Sequence, residues 1–112
     1  THMPLADNAR KHACQMLVDA VSDKAKDNTP AFCTGDFNAT PDAPEIATTI
    51  CQSGILKDAY REATIQHGAL FTFPSKKTRI DFIFVKHATV LSTRTIVSSL
   101  SDHYPMVIVV EI

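Results

Sequence analysis

The sequence predicts one α/β domain in which helices pack on one face of a mostly antiparallel sheet. Its 112 residues are enough for a single hydrophobic core, and 45% apolar with 21% charged residues is typical of a globular protein. Helical periodicity marks the first half of the chain, whereas runs rich in Val, Ile, Phe and Thr in the second half favour strands. The chain shows no internal repeat, so we assign residues 1–112 to a single unit.

Two helices are expected in the first half. From residue 8 to about residue 25, apolar residues recur at steps of three and four, which predicts an amphipathic helix capped by Asp7 or Asn8 and packed against the sheet. The apolar members of this pattern are Ala9, Ala13, Met16, Leu17, Ala20 and Val21. A polar linker over residues 23–30 follows. A turn at residues 40–42 then predicts a second helix over residues 43–52, which Gly54 ends.

Four strands are expected. Residues 31–34 predict a short buried strand ending at Gly35, which places Asp36 just beyond the strand end. Residues 79–86, 89–98 and 106–112 predict three further strands, which we expect to be antiparallel neighbours. The stretch between residues 58 and 74 has too weak a pattern for an assignment.

Charge and composition exclude several classes of function. A net charge of −1, from 11 basic and 12 acidic residues, disfavours avid nonspecific binding of nucleic acid. No apolar run approaches the ~18 residues of a membrane helix. Cys14, Cys33 and Cys51 lack zinc-like spacing and are interpreted as free, buried thiols, which favours a reducing compartment. The sequence also lacks a glycine-rich phosphate loop and a Gly-x-Ser-x-Gly motif.

Three short motifs carry the polar groups with chemical potential. They are Gly35-Asp36-Phe37-Asn38, Arg79-Ile80-Asp81-Phe82 and Ser101-Asp102-His103-Tyr104-Pro105. Each lies at the end of an apolar, strand-like run. Hydrolysis of a phosphoester needs positive charge for the phosphoryl oxygens, a group that activates water and a proton source for the leaving oxygen. Carboxylate, amide and imidazole groups at strand ends therefore predict a metal-assisted phosphoester hydrolase.

Each motif also has a structural interpretation. On an extended segment Asp36 and Asn38 point the same way while Phe37 enters the core, but both polar side chains could instead bond the local backbone. Asp81 interrupts an apolar strand and needs a partner. His103 is one candidate, and Arg79 or a residue on a neighbouring strand is another.

In order and spacing these motifs resemble the endonuclease/exonuclease/phosphatase superfamily, whose fold is that of deoxyribonuclease I. The resemblance covers nearly all of the chain and matches the C-terminal half of such a domain. It implies half of a four-layer α/β sandwich, with the N-terminal half absent. It also implies a hydrolase of phosphodiesters or phosphomonoesters that uses Mg²⁺ or Mn²⁺.

The resemblance assigns roles residue by residue. Asp36 orients or deprotonates the attacking water, and Asn38 donates a hydrogen bond to the phosphate or the water. Asp102 ligates the cation, with Asp36 and Asn38 as further candidate ligands. His103 stabilises or protonates the phosphoryl oxygens or serves as the base, and Asp81 orients its imidazole.

The resemblance adds His2, which would contact the phosphate or assist the leaving group. Thr1-His2-Met3 could equally be a remnant of a cloning vector. Lys76 and Lys77 follow a Thr-Phe segment that borders the substrate cleft in the superfamily. They could touch a phosphate, or they could be a solvated pair in a loop.

The principal metal ligand of the superfamily, a Glu in the first half of the domain, has no counterpart here. We therefore expect the chain alone to bind Mg²⁺ weakly and to turn over slowly or not at all. An uncovered half would expose an apolar sheet face, so we expect the N-terminal half or a second copy to cover it. The alternative function is a catalytically dead module that acts as a protein-interaction surface. The substrate stays open among small molecules, lipids and nucleic acids.

Overall fold

The first helix, α1, spans Asp7–Lys24 and packs through one narrow stripe. In the computed structural model, which describes residues 1–24 and 27–112, Cys14 and Val18 of this helix are buried. Ala9, Met16 and Ala20 are exposed, so their predicted place on the packed face is wrong. The predicted members Ala13, Leu17 and Val21 do pack against the core beside Cys14 and Val18, and the 3.6-residue period turns the other three outward. The predicted end near Ala25 lies outside the described residues.

The second predicted helix is present in another form. A π-helix at Glu45–Ile50 continues into a 3-10 helix at Cys51–Ser53. Gly54 ends it in the left-handed conformation, with a φ of +75° that glycine adopts without strain. Three short elements in the unassigned stretch escaped sequence analysis, because none is long enough for a periodic pattern: β2 at Lys57–Asp58, α2 at Ala59–Glu62 and β3 at Ile65–Gly68.

The longer strands are β1 (Ala31–Asp36), β4 (Asp81–Lys86), β5 (Thr89–Thr95) and β6 (Met106–Glu111). Together with the short strands β2 and β3, they form two three-stranded sheets within the described residues. The first has the order β1-β4-β2 and is antiparallel throughout. The second has the order β3-β5-β6, with β3 parallel to β5 and β5 antiparallel to β6. The predicted mostly antiparallel α/β architecture is confirmed.

One predicted neighbour relation is wrong. We expected β4 and β5 to pair, but they belong to different sheets. β1 and β2 occupy both hydrogen-bonding edges of β4, so no edge remains for β5. The chain leaves the first sheet at His87, whose φ is +56°, and enters the second sheet two residues later. Only β5 and β6 are antiparallel neighbours as predicted.

Two apolar clusters hold the layers together. The larger lies between the helices and one face of the first sheet, and its members include Val18, Phe37, Ile46, Phe82 and Phe84. The smaller joins the two sheets, with Ala59, Val85 and Val90 buried and Ile83, Ile108 and Val110 packed against them. Helices therefore cover one face of the first sheet, and the second sheet contacts its other face.

His12, His67 and His87, which lie outside the three motifs, are exposed. All three cysteines are free as predicted, but only Cys14 is fully buried, whereas Cys33 and Cys51 are half-buried. Burial raises the pKa of the Cys14 thiol to about 11. Among the described helices, none combines the length and apolar character needed to span a membrane.

Candidate active site

Antiparallel pairing of β1 with β4 brings two acidic residues face to face. Asp36 is the last residue of β1, Asp81 is the first of β4, and the two are direct partners in the strand register. Like charges directly opposite each other destabilise a sheet unless another group compensates them. A positively charged group near Asp36 and Asp81 would therefore stabilise this end of the sheet.

His103 lies between the two carboxylates. Its Nδ1 is 2.7 Å from Oδ2 of Asp81, and its Nε2 is 3.7 Å from Oδ2 of Asp36. The ring of Phe73 contacts the imidazole with a centroid distance of 4.9 Å. The hydrogen bond to Asp81 raises the pKa of His103 above 6.5, and the negative charges of the nearby aspartates add to this effect, against desolvation.

The partner of Asp81 is therefore His103 and not Arg79. The Arg79 guanidinium donates two hydrogen bonds to the buried carboxylate of Asp58, at 3.1 and 2.8 Å, and lies over the rings of Tyr60 and Phe82. The sequence analysis did not identify Asp58 as this partner. The ion pair between Asp58 and Arg79 joins β2 to the segment that leads into β4. Because Arg79 bonds Asp58, the Asp81 carboxylate is available to the His103 imidazole.

The Gly35-Asp36-Phe37-Asn38 segment combines both interpretations of its polar residues. Phe37 is fully buried and packs edge-on against Phe84, with centroids 5.0 Å apart. Oδ1 of Asp36 accepts a local hydrogen bond of 2.8 Å from the Asn38 backbone N–H, while Oδ2 faces the imidazoles. Asn38 is in the left-handed region, with φ of +48°, and its side-chain amide donates to the Met3 carbonyl.

His2 reaches the site because residues 1–3 lie alongside β1. The Met3 N–H donates to the Asp36 carbonyl and the Asp36 N–H donates to the Thr1 carbonyl, both at 2.8 Å. His2 Nε2 lies 3.6 Å from Oδ2 of Asp36, although its side chain is largely exposed. Only glycine fits at position 35, since an added Cβ would lie 1.9 Å from the Thr1 carbonyl oxygen.

Asp102 sits at the rim of this arrangement. It is exposed, and its Oδ1 lies 3.3 Å from the Ser101 hydroxyl, which donates to it. With Asn38 and His103 it borders an open pocket of about 580 Å³. Phe73 and Lys76 also line this pocket, whereas Lys77 is not among its lining residues.

The donor set fits a divalent cation. Asp36, Asp81 and His103 each offer one ligand atom, and these atoms lie within 4.8 Å of one another. Carboxylate oxygens suit Mg²⁺ and Mn²⁺, and imidazole suits the softer transition metals. Asp81 was not predicted as a ligand, because only the β1–β4 register places it beside Asp36. The predicted ligand Asp102 does not belong to this group of three, and it lines the neighbouring pocket together with Asn38 and His103.

Comparisons with known proteins match the chain to one protein family and to several solved structures. The model of the Endonuclease/Exonuclease/phosphatase family matches residues 1–103. An endonuclease/exonuclease/phosphatase structure from Bacteroides vulgatus is 29% identical with a TM-score of 0.84, and the match covers 95% of this chain and 45% of that one. A mannosyl-6-phosphatase from Bacteroides thetaiotaomicron is 23% identical with a TM-score of 0.86, over 99% of this chain and 49% of that one.

A protein of unknown function from Enterococcus faecalis has 23% identity and a TM-score of 0.78, covering 99% of this chain and 48% of that one. No curated protein matches the chain. The chain thus spans about half the length of the solved structures it matches. The predicted half of a sandwich agrees with this coverage.

Replacing Asp81 by Asn is expected to lower the pKa of His103, because the hydrogen bond to Asp81 is the largest cause of its elevation. Folding raises this pKa. The protonated imidazole therefore stabilises the fold below its unfolded pKa of about 6.5, and that stabilisation is lost as the pH rises through the folded value. NMR titration of the His103 ring protons measures the change. Asp19→Asn, on the exposed side of α1, is the control. An unaltered His103 titration in Asp81→Asn would contradict the assignment.

Proposed function

This chain belongs to the Endonuclease/Exonuclease/phosphatase family, and on that premise we propose that it carries the C-terminal part of the active site of a divalent-metal-dependent phosphoester hydrolase. The observation that carries the proposal is the position of His103 between Asp81 and Asp36, at 2.7 and 3.7 Å. Two strand ends, at Asp36 and Asp81, and the loop that carries His103 contribute to a single cluster of groups able to transfer protons.

The Asp81–His103 pair supplies the proton chemistry. Asp81 holds Nδ1, so Nε2 is the atom that faces Asp36 and the site. Because its pKa is raised, the imidazole keeps its proton to a higher pH than a free histidine does, and it can donate that proton to a phosphoryl or leaving-group oxygen. This is the orienting arrangement of carboxylate and imidazole that catalytic triads also use.

Asp36 is the group that orients or deprotonates water. One of its oxygens is fixed by the Asn38 N–H, and the other is aimed at the site. The amide nitrogen of Asn38 is engaged with the Met3 carbonyl, which leaves the amide oxygen as its available ligand atom. His2, exposed at the rim 3.6 Å from Asp36, is placed to meet the leaving group.

Mg²⁺ or Mn²⁺ would be held by Asp36 with Asn38 and Asp102, and Asp81 lies within reach as a further carboxylate donor, while the His103 imidazole serves proton transfer. When bound, the cation offsets the negative charge of the phosphoryl oxygens. Its charge also compensates the two aspartates that face each other across β1 and β4.

We propose a small phosphoester as the substrate in preference to long nucleic acid. The lining of the pocket beside His103 combines the apolar side chains of Leu5, Ala43, Phe73 and Ile80 with the cationic side chains of Arg10 and Lys76. The net charge of −1 offers no general attraction for a polyanion. A mannosyl-6-phosphatase among the similar structures is consistent with a substrate of this size.

In the full-length protein, Asp36→Asn and His103→Asn are each expected to lower kcat roughly 100- to 10,000-fold, because each removes a group that takes part in proton transfer. Assays with p-nitrophenyl phosphate and bis-p-nitrophenyl phosphate in the presence of Mg²⁺ measure the loss and separate monoesterase from diesterase activity. His12→Asn, on the exposed surface of α1, is the matched control. Full activity in both site variants would refute the proposed function.

Residues 1–112 alone are expected to bind Mg²⁺ weakly, because the Glu ligand that the family places in the first half of its domain has no counterpart here. Calorimetric titration with MgCl₂ should give small heats without saturation. Asp36→Asn should abolish what binding there is, whereas Asp19→Asn should not change it. Tight binding of one ion per chain would show that the site is complete without a further half.

An apolar sheet face supports a proposal about what covers the chain. Val107 and Val109 alternate along β6 and are 48% and 52% exposed, and Leu91 in the neighbouring bulge of β5 is 41% exposed. β6 is also an edge strand of its sheet. Exposed apolar edges favour association. We propose that the remaining half of a family domain covers this face, since the matched structures are about twice as long.

The alternative is a second copy of the chain, which would fit an interaction module. Two measurements distinguish these alternatives: light scattering gives the oligomeric state, and the fluorescence of a hydrophobic dye reports exposed apolar surface. A monomer that binds the dye, and that loses dye binding in Val107→Lys with Val109→Lys, supports cover by a missing half. A dimer that the same substitutions dissociate supports the second copy instead. A monomer without dye binding would contradict both.

A further inference from the structure

Thr72 is a polar residue that is completely buried beside the site. Its Oγ1 accepts two hydrogen bonds, from the backbone N–H groups of Ile80 and Asp81, each at 3.1 Å. Neither bond belongs to a regular sheet ladder, because the acceptor is a side-chain hydroxyl and not a backbone carbonyl. The hydroxyl therefore fixes the main chain at the point where Asp81 enters its strand.

The main chain of Thr72 fixes the other member of the pair. Its carbonyl accepts a hydrogen bond of 2.7 Å from the N–H of Tyr104, the residue after His103. Its own N–H donates to the Thr78 carbonyl at 3.1 Å, which ties Thr72 into the turn between residues 73 and 78. The next residue, Phe73, contacts the His103 ring.

Other buried threonines show that this bonding is not a consequence of burial alone. Thr93 and Thr95 are also almost fully buried, yet within the described ranges 1–24 and 27–112 their Oγ1 atoms have no hydrogen-bond partner. Thr72 is different, since it accepts two hydrogen bonds from the segment that carries Asp81. A buried hydroxyl with satisfied bonds holds its neighbours in one arrangement.

We propose that Thr72 is a positioning residue that sets the contact between Asp81 and His103. Its hydroxyl holds the backbone of Asp81, and its carbonyl holds the backbone next to His103. A single rigid residue thus determines the separation of carboxylate and imidazole. The catalytic meaning of this role rests on the proposed function, whereas the geometric role does not.

The test compares Thr72→Val, which keeps the shape and removes the oxygen, with Thr72→Ser, which keeps the oxygen. The readout is the ¹H NMR signal of the His103 Nδ1–H proton, which its hydrogen bond to Asp81 shifts downfield and protects from exchange. We expect Thr72→Val to lose this signal and Thr72→Ser to retain it. Thr93→Val, which removes a buried hydroxyl without a partner, should leave it unchanged.

In the full-length enzyme, Thr72→Val should lower kcat roughly 10- to 100-fold with little change in KM, and Thr72→Ser should restore it. The two proposals can fail separately. If the wild-type protein and all variants are inactive, the proposed function fails. The positioning role still stands in that case, provided that Thr72→Val loses the Nδ1–H signal. A folded Thr72→Val protein with an unchanged signal overturns the positioning role.

Should Thr72→Val fail to fold, the same comparison is made between Thr72→Ala and Thr72→Ser, which differ only in the oxygen. Loss of the signal in the Ala variant alone supports the role. If the Ala variant also fails to fold, the hydroxyl maintains the whole structure and the narrower claim is wrong.

Discussion

A short hydrogen bond between the Asp81 carboxylate and the His103 imidazole joins the two sheets at the site. Asp81 begins the central strand of the first sheet, and His103 lies in the loop that leads into β6 of the second. The contact can form only when both sheets are assembled. Local segments therefore supply the functional groups, and the packing of one sheet against the other brings them together.

The same contact resolves an electrostatic conflict in the first sheet. Register places Asp36 opposite Asp81, which is unfavourable for two like charges. The imidazole of His103 lies between the two carboxylates, and His2 lies near Asp36 at the rim of the site. A positive charge or a proton at this position is therefore stabilised by the two carboxylates. An arrangement that costs stability in the absence of a compensating charge is well suited to bind a cation or to hold a proton for transfer.

Most of the site could be predicted from the sequence because its residues lie in short, locally recognisable motifs. Asp36 follows an apolar run, Asp81 interrupts one and His103 precedes one, and strand ends meet at sheet edges. Asn38 was expected on an extended segment, but its left-handed conformation keeps it near Asp36 by a backbone hydrogen bond. That conformation follows from local bonding that residue patterns do not specify.

What could not be predicted depends on partners distant in the sequence. Arg79 lies close to Asp81 in the sequence, but its guanidinium donates hydrogen bonds to Asp58. Asp58 is 21 residues away and belongs to a strand of two residues. The division of β4 and β5 between sheets follows from the occupation of both edges of β4, which no property of residues 79–98 reveals. Periodicity likewise assigned Ala9, Met16 and Ala20 to the packed face of α1, although all three are exposed.

The central claim is that Asp81 and His103 act as one interacting pair, and a double-mutant cycle tests it most directly. Free energies of unfolding in urea would be measured for Asp81→Asn, His103→Gln and the double variant. The account predicts a coupling of about 1 kcal/mol or more near pH 6, where the imidazole is protonated, and a smaller coupling above the raised pKa of His103. Additive effects of the two substitutions at both pH values would contradict it.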